Sequence, residues 1–536
     1  MNTDTHEATP GSRLESTLLY LSHMHVEDDE LLHADDEAPF FLGQITAKAG
    51  RIYEKIRASV DNKEEYVLRR YAIRRIAKRI MWFSRDPQIV TSRLLRDLYK
   101  GGYLPEDRVS RHVEQDVIHT VSTFLALSGE ATRDTHTQRV FTLRKHLLDI
   151  CAGALEDHLY PTHIDEASVR LLARIGDETL VIGGVVVSEE DRIKLIYLAA
   201  WKALFGADHA LLLYKLWQYE HPSWSHTGDE ELLRLARELP TFIADCDRLF
   251  AHPLLPRLIL RMRNYAVAVS VIHELLLEYG DGIRDVANDP AGFEVRIREH
   301  IAKMYRRDVL HAGKKAVGAV VYILATKAVL ALTMEFVYVS VLKQPLNYLA
   351  LGINVLFHPA LLFATTSGLF VPPEQNTKRI VTLIFDIISP KQLPEVEVIP
   401  VKKGIFSDIS LGLYFGFLTC LLVTITWLLD HLGFHVVDIF LFIIFLALVL
   451  YFSFRVRYGA RRMQLSGAKE GFLRSTLELI ALPIVSVGRY LVTKFESLNV
   501  LAVFLDVVVE TPLRLLFEFI DTFSSVLKEK KDEMYS

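Results

Sequence analysis

Cysteine is scarce in this chain: three in 536 residues, Cys151, Cys246 and Cys420, far apart and with no CxxC pair. That excludes a disulfide framework or a thiolate zinc site and is compatible with a reducing compartment. Net charge is scarce too. Lys and Arg number 61 against 66 Asp and Glu, which leaves −5, and so small an imbalance gives no reason to expect a specific nucleic-acid partner. The phosphate-cradling GxGxxG and P-loop patterns and the GxSxG nucleophile elbow are absent. No cofactor is therefore expected, and nothing argues for an enzyme. His273-Glu274 opens like a zincin helix, but the second His would have to stand at Leu277. The opening MNTDTHEATPGSRLES has no basic run followed by an apolar one, and there is no lipidation motif. No cleavable signal peptide is expected, so membrane entry falls to internal segments.

What the chain has instead is long apolar runs. Half its residues are hydrophobic, yet 24 % are charged, and a polar half joined to a membrane half reconciles the two figures. Crossing about 30 Å of hydrocarbon takes roughly 20 helical residues. Four segments approach or exceed that length: 316–342, 349–370, 409–429 and 436–454. Positive charge alternates across their loops. Lys303, Arg306, Arg307, Lys314 and Lys315 precede the first span, and the turn after it carries only Lys343. Lys378, Arg379, Lys391, Lys402 and Lys403 follow the second; the loop 430–435 has no Lys or Arg; Arg455, Arg457, Arg461 and Arg462 follow the fourth. Short cytoplasmic loops hold the Lys/Arg excess, so four spans with both termini in the cytoplasm are expected in the cell or cytoplasmic membrane.

Ionisable groups at bilayer depth are costly and mark functional pathways by default. Lys327 and Glu335 in the first span, with Asn354 and His358 in the second, form a candidate intramembrane polar cluster. In the third span Gly412 and Gly416 make one GxxxG, a candidate packing seam. The fourth reads as an almost featureless, lipid-facing helix. Beyond 471, the run 498–523 places Asp506, Glu510, Arg514 and Glu518 at four-residue spacing. A helix lying in the interface keeps that stripe wet, which favours interfacial helices over a further hairpin.

Residues 1–44 form an acidic tail holding His6, His23, His25 and His33, expected to be disordered because their spacing fits no metal geometry. Residues 45–305 carry helical periodicity throughout and read either as one helical domain or as two subdomains broken near 165–188. Ser188-Glu-Glu-Asp191 predicts a helix start at Glu189. The run TLVIGGVVV over 179–187 predicts a small hairpin or a bent connector. On a helical wheel Ile73, Ile76 and Ile80 share one side, and Arg70, Arg74, Arg75, Lys78 and Arg79 cover the other. That arc suits a solvated domain face, an anionic lipid surface or, least well, nucleic acid. Two histidine groupings read as chance loops: Glu156, Asp157 and His158 with His163 and Asp165, which Pro161 interrupts, and His221 and His226 beside Trp224.

The expected fold is thus all-α: a helical cytosolic domain, a small transmembrane bundle over 306–470, and C-terminal amphipathic helices. The expected function is a non-enzymatic, membrane-anchored scaffold or interaction protein. Its partners would be the lipid bilayer, anionic headgroups and a cytosolic protein. The alternative is a transporter or channel component using the polar groups of spans one and two.

Overall fold

The computed structural model describes residues 65–104, 109–132, 137–161, 163–280, 289–340, 348–366, 374–388, 393–400, 405–465 and 481–491; within these, 65–68, 137–139, 290, 315, 321–340, 349, 405–411 and 460 are described by backbone alone. The chain is mostly helical and divides into two compact units. Of the described residues, the first unit takes those up to Phe293 together with 383–400, and the second takes 294–382 with 405–491.

Among the described residues, nine helices build the first unit before the chain leaves it. They are α1 (Glu65–Phe83), α2 (Pro87–Lys100), α3 (Arg111–Ala131), α4 (Thr137–Leu159), α5 (His163–Thr179), α6 (Glu189–Phe205), α7 (His209–Glu220), α8 (Asp229–Phe250) and α9 (Leu255–Tyr279). Short polar side chains start several of them. Asp86, Ser110, Ser188 and Asp208 each accept a hydrogen bond from a backbone N–H of the first turn, which a helix start would otherwise leave unpaired. Ser188 opens α6 at Glu189, as its spacing predicts. Apolar stripes from all nine helices meet in one core, and residues before and after 165–188 share it. Trp217 of α7 is fully buried, with Phe242 edge-on at 5.0 Å. Burial on this scale stabilises by about 1.5–3 kcal/mol per large apolar side chain.

Two glycines allow helices to close up. A Cβ on Gly153 of α4 would run into the base of the Tyr214 ring on α7, and one on Gly176 of α5 would lie 2.9 Å from the Met262 methyl group. The run at 179–187 does not fold on itself. Strand β1 (Leu180–Ile182) pairs in parallel with β2 (Val396–Val398), Leu180 opposite Val396, and Gly183 N–H extends the ladder to the Val398 carbonyl at 3.0 Å. Gly184, at φ +77°, then turns the chain in a conformation that side chains disfavour.

The second unit contains most of α10 (Pro290–Ser340), then α11 (Tyr348–Thr366), the first turns of α12 (Glu374–Ile388), α13 (Ile405–His431), α14 (Val436–Ala460) and α15 (Ala481–Leu491). At 51 residues α10 is about 75 Å long. Asn376 of α12 is buried with its amide satisfied. It donates to the Tyr305 hydroxyl (2.8 Å) and the Met463 carbonyl (2.9 Å), and it accepts from Leu465 N–H (3.0 Å). Helices α13 and α14 form a hairpin turned at Gly433 (φ +79°). Leu429, Phe434, Phe442, Leu446 and Ala447 of this hairpin pack with Ala350 and Ile484.

Among the described residues two helices are long and apolar enough to cross a bilayer, Gly412–His431 and Val436–Gly459. Helix α11 coincides with the expected second span, but its apolar run, Ala350–Thr366, falls short of the roughly 20 residues a span needs. The expected first span is the end of α10, where 321–340 are described by backbone alone. Two expectations are corrected. Gly412 and Gly416 form no packing seam with the described residues, none of which lies within 4 Å of a Cβ at either. Helix α14, expected to be the featureless outward-facing one, is the more enclosed of the pair: a third of its apolar window is buried, against 6 % in α13, because α11 and α15 both pack on it. Gly488 of α15 sits directly on the Ala447 carbonyl.

The two kinds of glycine predict opposite responses. Gly153→Val should lower the thermal midpoint by an amount equivalent to about 1–3 kcal/mol of overpacking. Gly129→Ala, at a helical position with no atom within 4 Å, should raise stability by about 0.5–1 kcal/mol. Differential scanning calorimetry of the two variants checks both.

Candidate functional site

Five helices and a short turn of the first unit line a cleft of about 470 Å³, within the usual range for small-molecule sites. Helix α3 contributes His112 and Asp116, and the last turn of α4 contributes Asp157 and His158. The start of α5 contributes His163, Glu166 and Arg170. Tyr197 comes from α6, and Tyr214, Lys215, Gln218 and Tyr219 come from α7. The short 3-10 turn Trp224–His226 closes the outline.

Lys215 is the centre of this arrangement. It is 3 % exposed, and its ammonium donates to Asp157 Oδ2 at 2.8 Å and Gln218 Oε1 at 3.2 Å, with Glu166 Oε2 4.0 Å away. It also lies 5.2 Å from the ring centroids of both Trp201 and Tyr214. Tyr214 donates its hydroxyl to the same Asp157 oxygen at 2.7 Å, and Tyr197 donates to Glu166 at 2.9 Å. Burial, reinforced by the adjacent carboxylate, holds both phenols well above their ordinary value, so each remains a donor.

Toward the mouth, Arg170 Nε lies 3.2 Å from Glu166 Oε1, and His112 Nδ1 lies 3.1 Å from Asp116 Oδ2. His226 Nε2 is 3.9 Å from the other Asp116 oxygen. His158 Nε2 meets the Thr120 hydroxyl at 2.9 Å, and burial lowers its proton affinity, favouring the neutral ring. Among the described residues no group of three His, Cys, Asp or Glu is placed to hold a metal.

Both histidine groupings that read as chance loops thus contribute to one cleft. Pro161 does end a helix, but α5 restarts at His163 and brings that ring back to the side where His158 points. Asp165 lies instead near His273 (3.4 Å), and the His221 ring lies tilted against Trp217 (4.4 Å). Glu166, Tyr197, Tyr214 and Lys215 were missed. One signal was available: Lys215 interrupts the apolar run LLLYKLW of α7, where only a paired lysine can be buried.

The basic arc of α1 is largely engaged within the fold. Ile73, Ile76 and Ile80 are buried as predicted. Arg70, however, is buried as well, donating to Glu156 (2.6 Å) and to the helix-capping Asp208 (2.9 Å). Arg74 lies 2.7 Å from Asp149, and Arg79 donates to Asp97 (2.9 Å). Arg75 is half-buried and Lys78 exposed. The solvated-face and lipid-surface readings therefore do not apply to Arg70. A wheel separates faces, but it cannot reveal the carboxylates of α4 that meet this one.

Of the intramembrane candidates, the side chains of Lys327 and Glu335 lie outside the described residues. Asn354 is half-buried in α11. His358 is fully buried, with Nε2 3.0 Å from the Phe442 carbonyl of α14, so that nitrogen carries a proton. The acidic tail with its four histidines and the stripe over 498–523 also lie outside the described residues.

No protein-family model, curated protein or solved structure matches the chain.

The buried charges make two predictions. Burial pushes Asp149 from 3.8 up to about 6, against the pull of Arg74. Its contribution to stability is complete below pH 3.8 and is lost as pH rises through about 6. The stability of the wild type relative to Asp149→Asn should accordingly fall by up to about 3 kcal/mol between pH 4 and pH 8, measured by denaturant titration. Lys215→Met should destabilise by about 3 kcal/mol by stranding Asp157, and Lys215→Met/Asp157→Leu should recover most of that loss in the same assay.

Proposed function

We propose that the chain is an integral membrane protein: its second unit is anchored in lipid, and its first unit works in water as a non-enzymatic interaction domain. The observation that supports this most directly is the open apolar surface of α13. Leu413 is 71 % exposed, Trp427 64 % and Val423 61 %, and Phe415, Phe417 and Leu428 are exposed with them. Soluble monomers rarely show contiguous apolar patches beyond a few hundred Å². A helix of this length that is apolar on every side belongs in hydrocarbon, where its own backbone hydrogen bonds suffice.

In this reading the spans number four, with the ends of α10 and α11 joining α13 and α14. The Lys/Arg-free loop 430–435 lies outside, and Arg455, Arg457, Arg461 and Arg462 lie in the cytoplasm with both termini. The first unit then faces the cytosol, where the exposed Lys78 and its neighbours meet a protein partner or anionic headgroups.

Membranes washed with alkaline carbonate should retain the full-length protein. A topology reporter inserted at His435 should respond only from outside, and one at Gln464 only from the cytoplasm. Recovery of the whole chain as a detergent-free soluble particle, or a His435 reporter seen only from the cytoplasm, would refute the proposal.

A further inference from the structure

Both fixed cations of the cleft are matched within it, Lys215 with Asp157 at 2.8 Å and Arg170 with Glu166 at 3.2 Å, while the third carboxylate, Asp116, faces the His112 ring at 3.1 Å. A charged ligand beside Lys215 and Glu166 has to disturb one of these two pairs. An anion would compete with Asp157 for a lysine that is 3 % exposed, and the carboxylate left behind would lose its cation. An organic cation would seek the place between aromatic rings and carboxylates, but the Lys215 ammonium already occupies it, 5.2 Å from both Trp201 and Tyr214.

A hydroxyl makes neither demand. It donates and accepts at once, and carboxylate oxygens engaged by Lys215 and Tyr197 keep further lone pairs for it. Such bonds to ionised acceptors are the stronger kind. Tyr219 stands at the mouth, 49 % exposed and 5.4 Å from the Tyr197 ring, and offers a flat apolar face to C–H groups. We infer that the cleft is a binding site for a neutral polyhydroxylated molecule of sugar size, held by hydrogen bonds to Glu166 and Asp157 and by stacking on Tyr219. This site is independent of membrane anchoring.

The test uses the full-length protein in lipid nanodiscs prepared without sugar-based detergent. Calorimetric titrations with glucose, galactose, mannose, N-acetylglucosamine, maltose and trehalose are compared with choline and inorganic phosphate. At least one neutral sugar should bind, and choline and phosphate should bind at least about tenfold more weakly. Glu166→Gln and Tyr219→Ala should each weaken the sugar by about tenfold or more without shifting the melting temperature. Glu166→Gln keeps an acceptor for Tyr197, and the Arg170 it releases is already mostly exposed, so the fold tolerates the change. The inference is overturned if no sugar binds, if choline or phosphate binds more tightly, or if the sugar's affinity is unchanged in either variant.

Discussion

An ammonium group remains inside a protein only if another group meets its charge. In the first unit that requirement falls on Lys215 and is met by Asp157. The pair ties the last turn of α4 to the middle of α7. One turn earlier on α4, Gly153 has no side chain to keep the Tyr214 ring away, and the Tyr214 hydroxyl reaches the same Asp157 oxygen. Core packing and cleft chemistry therefore share a single contact. The neighbouring Glu156 points to a different side of α4 and meets Arg69 and Arg70 of α1. Successive residues on a helix diverge by about 100°, so adjacent carboxylates serve two networks.

The second unit resolves the opposite problem. Its apolar side chains face outward on α13, and two of its polar ones are hydrogen-bonded inside. His358 meets a backbone carbonyl of α14, and Asn376 joins three segments through its one amide. Helix α14 packs against its neighbours, while α13 has its sides open. Composition alone ranks these two helices in the reverse order, because the plainer sequence is the one that the others surround.

Local features were legible in the sequence. Helical periodicity, the Ser188 cap and the buried isoleucine stripe of α1 all follow from short-range rules that the structure obeys. The cleft was not legible, because it is assembled from α3, α4, α5, α6, α7 and a short turn whose residues are distant in sequence. Pro161 was correctly a helix breaker, yet the break is what lets His158 and His163 approach one space. A wheel drawn for α1 placed Arg70 among exposed cations, whereas the acids that bury it lie 86 and 138 positions away. The parallel pairing of β1 with β2 was beyond local rules for the same reason.

That pairing bears on the order in which the molecule can be completed. Leu180–Ile182 leaves the ribosome long before Val396–Val398, and α10 and α11 are made in the interval. The nascent first unit therefore waits with one strand edge open while the following helices are already being made. Leu383, Ile387 and Leu393, which pack on its core, arrive equally late. A fragment ending at Phe293 would lack them, so the first unit cannot be separated from the rest by a single cut.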